Sequence, residues 1–153
     1  LAAGLNWKGI DFSILLQGAA RSSIYLQQDI AWDNFWGNYY EEHIGRWTPE
    51  TAATATYPRF TKAATAAHPN YYKSDYWLKD SKYLRLKNIQ LGYTIPRKLL
   101  KKFGVRSLRV YANAYNLFTW DNVKKVDPES SNNSNGQFYP QQKVINFGIN
   151  LNF

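Results

Sequence analysis

The chain of 153 residues contains no cysteine and no methionine. The first absence excludes a thiol nucleophile, a CxxC redox pair, a thiolate zinc site and a disulfide-stapled scaffold. It does not assign a redox compartment. The second absence, with Leu1 as first residue, reads as a processed chain or a piece of a longer one. Histidine is nearly as scarce. His43 and His68 both fall in one long connection, outside HExxH or any other ligand spacing, and are read as surface residues. No GxSxG, Walker A or GxGxxG occurs, so no enzyme motif and no cofactor site is expected. No stretch approaches the roughly 20 apolar residues of a membrane helix, and no signal peptide is evident. A helical membrane protein is thereby excluded. A membrane β-barrel is not, because alternating strands leave a weak hydropathy signal.

What is present is aromatic and basic. There are 12 Tyr, 8 Phe and 6 Trp, a heavy load for a mean hydropathy of −0.53. A hydrophobic share of 44% excludes a disordered tail. The net charge is +8. The densest basic cluster, Arg97, Lys98, Lys101, Lys102 and Arg106, lies in a short segment bounded by Pro96 and Gly104. Nucleic-acid binding needs cations and stacking aromatics on one platform. Here they fall in separate segments, so the cluster reads as a solvated basic turn and no nucleic-acid partner is expected.

Periodicity carries the fold. From Val144 the sequence reads V-I-N-F-G-I-N-L-N-F. Ile145, Phe147, Ile149, Leu151 and Phe153 share one face, and Val144, Asn146, Gly148, Asn150 and Asn152 share the other. Strict period-two alternation means a strand, and about ten residues match a tilted transmembrane strand. In 107–119, Leu108, Val110, Ala112, Ala114 and Phe118 oppose Arg109, Tyr111, Asn113 and Tyr115, with Trp120 at the strand end, where an interfacial aromatic belongs. In 83–95, Leu84 and Leu86 are out of phase with Ile89, Leu91, Tyr93 and Ile95. Either a β-bulge sits near Lys87-Asn88 or the upper part lies outside the bilayer. In 11–20, Phe12, Ile14 and Leu16 oppose Asp11, Ser13 and Gln17, with Leu15 exceptional on the polar side. Leu1, Ala3, Leu5 and Trp7 make a fifth, shorter face, joined to the next by a Lys8-Gly9 turn. The expected fold is an all-β, antiparallel transmembrane barrel segment, with strands at about 1–7, 11–20, 83–95, 107–119 and 143–153.

The connections alternate short and long: Lys8-Gly9, about 22–80, 96–106, and about 121–142. In 96–106, Arg97–Lys102 is expected to make one helical turn capped by Gly104. Short turns opposite long loops are the layout of an outer-membrane barrel, which places Phe153 on the periplasmic side. Thr51–Ala67 is a low-complexity Ala/Thr stretch with little to pack.

Several of these runs resemble one family. Ser74 to Pro96, S-D-Y-W-L-K-D-S-K-Y-L-R-L-K-N-I-Q-L-G-Y-T-I-P, resembles a hallmark segment of SusC/RagA-type TonB-dependent outer-membrane transporters of Bacteroidetes. Leu108 to Thr119 resembles that family's penultimate strand. Asp127-Pro128-Glu129, Tyr139-Pro140 and Phe147 to Phe153 resemble its ending, and Arg46-Trp47-Thr48-Pro49-Glu50 and Tyr57-Pro58-Arg59-Phe60 resemble its loop motifs. The resemblance runs from about Leu5 to Phe153. It implies the last five strands of a barrel of about 22 strands, without the plug or TonB box. It also implies outer-membrane residence among lipid, a SusD-like surface lipoprotein and TonB as partners, and glycan or peptide cargo. Asn146, Gly148, Leu151 and Phe153 fit the signal read by the barrel-assembly machinery. The alternative is a soluble all-β carbohydrate-binding module whose apolar faces meet a second sheet.

Other candidate sites are weaker. Trp32, Phe35, Trp36, Tyr39, Tyr40 and Trp47 could stack on sugar rings, but loop packing or a lipoprotein interface explains them more simply. Glu41-Glu42 reads as a solvated pair. Asp127, Glu129, Ser131, Asn133, Asn135 and Gly136 resemble a calcium loop but lack the terminal bidentate Glu, so no metal is expected.

Overall fold

The structure is a computed structural model. It describes residues 1–28, 31–33, 37–62, 68–123, 125–130 and 139–153. Two compact units emerge, each made of discontinuous chain. The first is Leu1–Ala20, Lys82–Asp121 and Gln141–Phe153, and the second is Arg21–Ser81 and Asn122–Pro140.

The first unit is one antiparallel sheet of β1 (Ala2–Trp7), β2 (Ile10–Ala19), β5 (Tyr83–Thr94), β6 (Ser107–Asp121) and β7 (Val144–Asn152), in that spatial order. Lys8 and Gly9 both take positive φ, 46° and 90°, the two-residue turn whose twist suits flanking strands. Between β5 and β6, Arg97–Leu100 forms one helical turn (α1), and Gly104 ends the following 3₁₀ turn Lys101–Phe103 in the left-handed region. Register then stacks like with like. Leu5, Phe12, Leu91, Ala112 and Phe147 form one row across all five strands, and Trp7, Ile10, Tyr93, Val110 and Ile149 form another. Rows of the other face carry Asn6, Asp11, Gly92, Tyr111 and Gly148, then Gly4, Ser13, Gln90, Asn113 and Asn146. Leu15 sits in the latter face, opposite Asn88. Much of the apolar face is exposed, Phe147 at 82% and Ile149 at 69%, while Leu86 and Ala114 on it are buried.

The phase slip in β5 is a bulge. Leu15 pairs with Asn88 but Leu16 with Leu86, which leaves Lys87 extra. On β6 the pairing jumps from Tyr115 to Phe118, and Asn116 takes φ 50°, a conformation Asn tolerates better than most residues. The insertion restores the faces. Leu16, Leu86 and Phe118 share one row, while Gln17, Arg85 and Thr119 share the next, where Arg85 Nε donates to Thr119 Oγ1 at 2.9 Å.

The second unit folds by the opposite logic. β3 (Ser23–Tyr25) and β4 (Leu78–Asp80) make a two-stranded ribbon. Around it Ile24, Leu26, Ala31, Trp32, Tyr57, Tyr71, Trp77 and Val123 form a buried core, with Tyr25, Phe60 and Val126 packed against it. Two expectations need correction here. The 51–67 stretch does pack: Tyr57 is in the core and Phe60 against it, although Ala63–Ala67 lie outside the described residues. His43 is not a surface residue but is 2% exposed.

Candidate functional site

On the polar face of the sheet, side chains lie flat across glycines. Arg109 Nε donates to Asp11 Oδ1 at 2.9 Å, and the ion pair reaches from β6 to β2 over Gly92 of β5. A Cβ at Gly92 would collide with both partners. The Arg109 guanidinium also lies 4.9 Å over the Tyr111 ring, and that ring in turn covers Gly148, where a Cβ would strike it. Asp11, Arg109, Tyr111 and Gly148 thus form one continuous stack from β2 to β7. A direct Asp–Arg pair with an aromatic neighbour is geometrically specific and resists slippage of register.

The four assembly-signal candidates occupy different surroundings. Asn146 Nδ2 donates to Asn113 Oδ1 at 3.0 Å, and Gly148 lies under Tyr111. Leu151 faces Leu108 across the sheet. Phe153, beyond the end of β7, is exposed.

The second unit is organised by a carboxylate that the sequence did not single out. Asp33 is fully buried. Its carboxylate accepts from the Tyr71 hydroxyl and, at 3.0 Å, from the Thr61 amide. The Tyr57 hydroxyl accepts from the Asp33 amide at 3.0 Å and directs its proton to Ala31 O at 2.9 Å or Asp33 Oδ1 at 3.2 Å. A buried charge persists only when so satisfied. Burial, then the neighbouring Asp33 charge, raises the Tyr57 phenol well above its ordinary range, and burial with the Asp33 hydrogen bond does the same for Tyr71. His43 supports the same strap. Its Nδ1 accepts from the Tyr40 amide at 3.0 Å and its Nε2–H donates to Ala31 O at 3.2 Å, so the neutral ring is satisfied on both sides.

Among the described residues, the loop aromatics divide: Trp32 lies apart from Tyr39 and Tyr40, which meet at His43. Trp32 is in the core, stacked on Tyr71 with centroids 4.5 Å apart. Tyr39 is exposed and tilts against Phe60 at 5.4 Å, and Tyr40 meets the His43 ring edge-on at 5.5 Å. Trp47 lines a groove with Arg46, Arg59 and the same Phe60. Phe35 and Trp36 lie outside the described residues, as do Ser131, Asn133, Asn135 and Gly136 of the calcium-like run. Asp127 Oδ1 accepts from the Glu129 amide at 2.9 Å, a local turn, and no metal-ligand cluster occurs among the described residues.

A cleft of about 400 Å³ opens beside the core, floored by Leu26, Tyr57 and Trp77. Its rim is charge-compensated. Glu42, exposed like Glu41, pairs with Lys125 at 2.9 Å, and Asn122 Nδ2 donates to Asp80 Oδ2 at 3.0 Å. Burial holds the Lys125 ammonium below its ordinary range. The volume falls within that of small-ligand sites.

No protein-family model matches the chain. It is 30% identical over 166 residues to TonB-dependent receptor P26 of Formosa agariphila, an alignment covering 97% of this chain and 16% of the relative. It is 26% identical over 155 residues to TonB-dependent receptor SusC of Bacteroides thetaiotaomicron, covering 100% of this chain and 15% of SusC. Among solved structures, a chain of the RagAB peptide transporter superposes with a TM-score of 0.73 at 24% identity, over 98% of this chain and 16% of that one. The chain therefore spans about one sixth of the length of the relatives it matches.

Proposed function

We infer that this chain belongs with the SusC/RagA-type TonB-dependent receptors, as a segment of their antiparallel barrel, and that it builds the C-terminal barrel wall and two outer loops of an outer-membrane nutrient importer. The observation that carries this reading is the sheet's apolar face. Its rows run unbroken over five strands and remain open, with Leu91 55% exposed and Ile149 69% exposed. Such a face is stable against lipid and not against water. A soluble carbohydrate-binding module would instead bury these rows under a second sheet, so that alternative is not favoured.

On this reading the polar face, with its Asn, Gln and Tyr rows, lines the lumen. The chain itself performs no chemistry. Energy comes through TonB engaged elsewhere in the receptor, a SusD-like surface lipoprotein covers the outer side, and the cargo is a glycan or a peptide. Asn146, Gly148, Leu151 and Phe153 present the signal to the barrel-assembly machinery. The exposed Tyr39, Tyr40 and Trp47, and Trp36, supply loop contacts to lipoprotein or cargo, whereas Trp32 holds the loop core. Fractionation of cells expressing the whole receptor tests the reading. The receptor is expected in the outer membrane, co-purifying with a surface lipoprotein, and its recovery in the soluble fraction would refute the assignment.

A further inference from the structure

Two stretches of the long connection, Arg46-Trp47-Thr48-Pro49 and Arg59-Phe60, form the walls of one open groove of about 460 Å³. Both are fixed from behind. Arg46 bridges Tyr57 in parallel, the Trp47 amide donates to Tyr57 O at 2.9 Å, and Tyr57 is anchored on Asp33. Asn70 Nδ2 donates to Arg59 O at 2.7 Å. The walls are therefore ordered before any ligand arrives, which lowers the entropic cost of binding.

The groove's charge is of one sign. Two arginines line it, and among the described residues no acid does. Among the described residues no carboxylate pairs with Arg46 or Arg59. Glu50, which follows Pro49, takes hydrogen bonds from Thr48 and its own backbone and is not part of the lining. The Arg46 guanidinium lies 4.9 Å over the Phe60 ring. A guanidinium carries its N–H groups in a planar fork, and that fork matches a carboxylate. Trp47 is 39% exposed on the same groove. An aromatic face takes the C–H face of a sugar ring, as it takes other flat, partly apolar bodies.

We propose that this groove binds an acidic sugar, a uronate ring whose carboxylate is held by Arg46 and Arg59 while the ring rests on Trp47. The assignment stands on the groove itself and does not depend on import. An acidic peptide would satisfy the arginines but would not use the tryptophan face.

The test is calorimetry on the whole receptor in detergent, with trigalacturonate and trimannuronate, neutral trigalactose and triglutamate as probes. At least one uronate trimer is expected to bind, about tenfold or more tighter than trigalactose, and to weaken with added salt. Arg59→Gln, which leaves the Arg46–Phe60 stack in place, is expected to weaken uronate binding about tenfold, and Arg46→Gln with Arg59→Gln further still. Trp47→Ala is expected to weaken the uronate trimers but not triglutamate. Absence of binding by both uronates, equal binding of trigalactose, tighter binding of triglutamate, or unchanged affinity in Arg59→Gln would each overturn the proposal. Those failures would leave the barrel reading intact, because that reading is tested by membrane fractionation.

Discussion

The two units of this chain solve the same problem with opposite signs. The sheet turns Leu5, Phe147 and Ile149 outward and its Asn, Asp and Arg to the other side. The second unit buries Ile24, Trp32, Tyr71 and Trp77 and closes around one carboxylate. On the proposed reading, one chain obeys lipid rules in its strands and water rules in its connections. Inside the second unit, Asp33 supplies what the unit's short ribbon cannot, a directional centre that holds Tyr57, Thr61 and Tyr71. In the sheet, the corresponding work falls to repeated backbone pairing and to side chains laid over glycines.

This contrast can be broken from either side. The largest effect is expected at Asp33. Asp33→Ala removes the acceptor of the Tyr71 hydroxyl and of the Thr61 amide, and should cost the second unit about 2–6 kcal/mol, about 1–3 for each buried donor left without it. Hydrogen exchange on the whole receptor should show fast exchange in 21–62 while 83–94 and 107–121 stay protected. Uniform loss of protection in both would mean that the two units are not separately stabilised.

Next comes the sheet. Ile149→Arg, on the apolar face, should cost roughly 2–4 kcal/mol in folding into vesicles, while Asn150→Arg should be mild. Equal costs, read from urea titrations, would erase the facing assignment. Gly148→Val should cost about 1–3 kcal/mol because Tyr111 must leave its place. Tyr111→Ala should recover part of that loss, a coupling that a double-mutant cycle measures. If the two substitutions simply add, the stack across Gly148 has no energetic meaning.

The smallest and most selective effect is with pH. The folded-state phenols of Tyr57 and Tyr71 are raised by burial and by Asp33. Stability from this source is complete below the unfolded phenol value of about 10 and falls as pH rises above it, because the unfolded chain then releases protons that the folded chain retains. The second unit should accordingly loosen above about pH 10, seen as tyrosinate absorbance rising with exchange in 21–62. Tyr57→Phe with Tyr71→Phe should flatten that dependence, and an unaltered profile would remove these phenols from the account.

How much was legible follows the same division. The sheet's faces could be read from Val144–Phe153 and Ser107–Phe118, because period-two alternation is a local signal. Even the bulge at Lys87 showed as a phase slip, although choosing it over a strand leaving the bilayer required the pairing of Leu16 with Leu86. Asp33, by contrast, lies in an aperiodic run, and its partners Tyr57, Thr61 and Tyr71 follow at 24, 28 and 38 residues. No local pattern marks a carboxylate that meets its donors only after the connection has folded. His43 was misplaced for the same reason: its acceptor Ala31 lies 12 residues away. Gly92 and Gly148 read as gaps in polar rows, and their purpose appears only when the crossing side chains of Arg109 and Tyr111 are seen.

The central claim, that the sheet is turned outward to lipid, is tested most directly by a nitroxide scan of residues 144–152 in the whole receptor reconstituted in vesicles. The account predicts collision with oxygen dissolved in lipid at Ile145, Phe147, Ile149 and Leu151, alternating with collision with a water-soluble nickel reagent at Asn146, Asn150 and Asn152. Accessibility to both reagents without alternation, or with the phases exchanged, would contradict it.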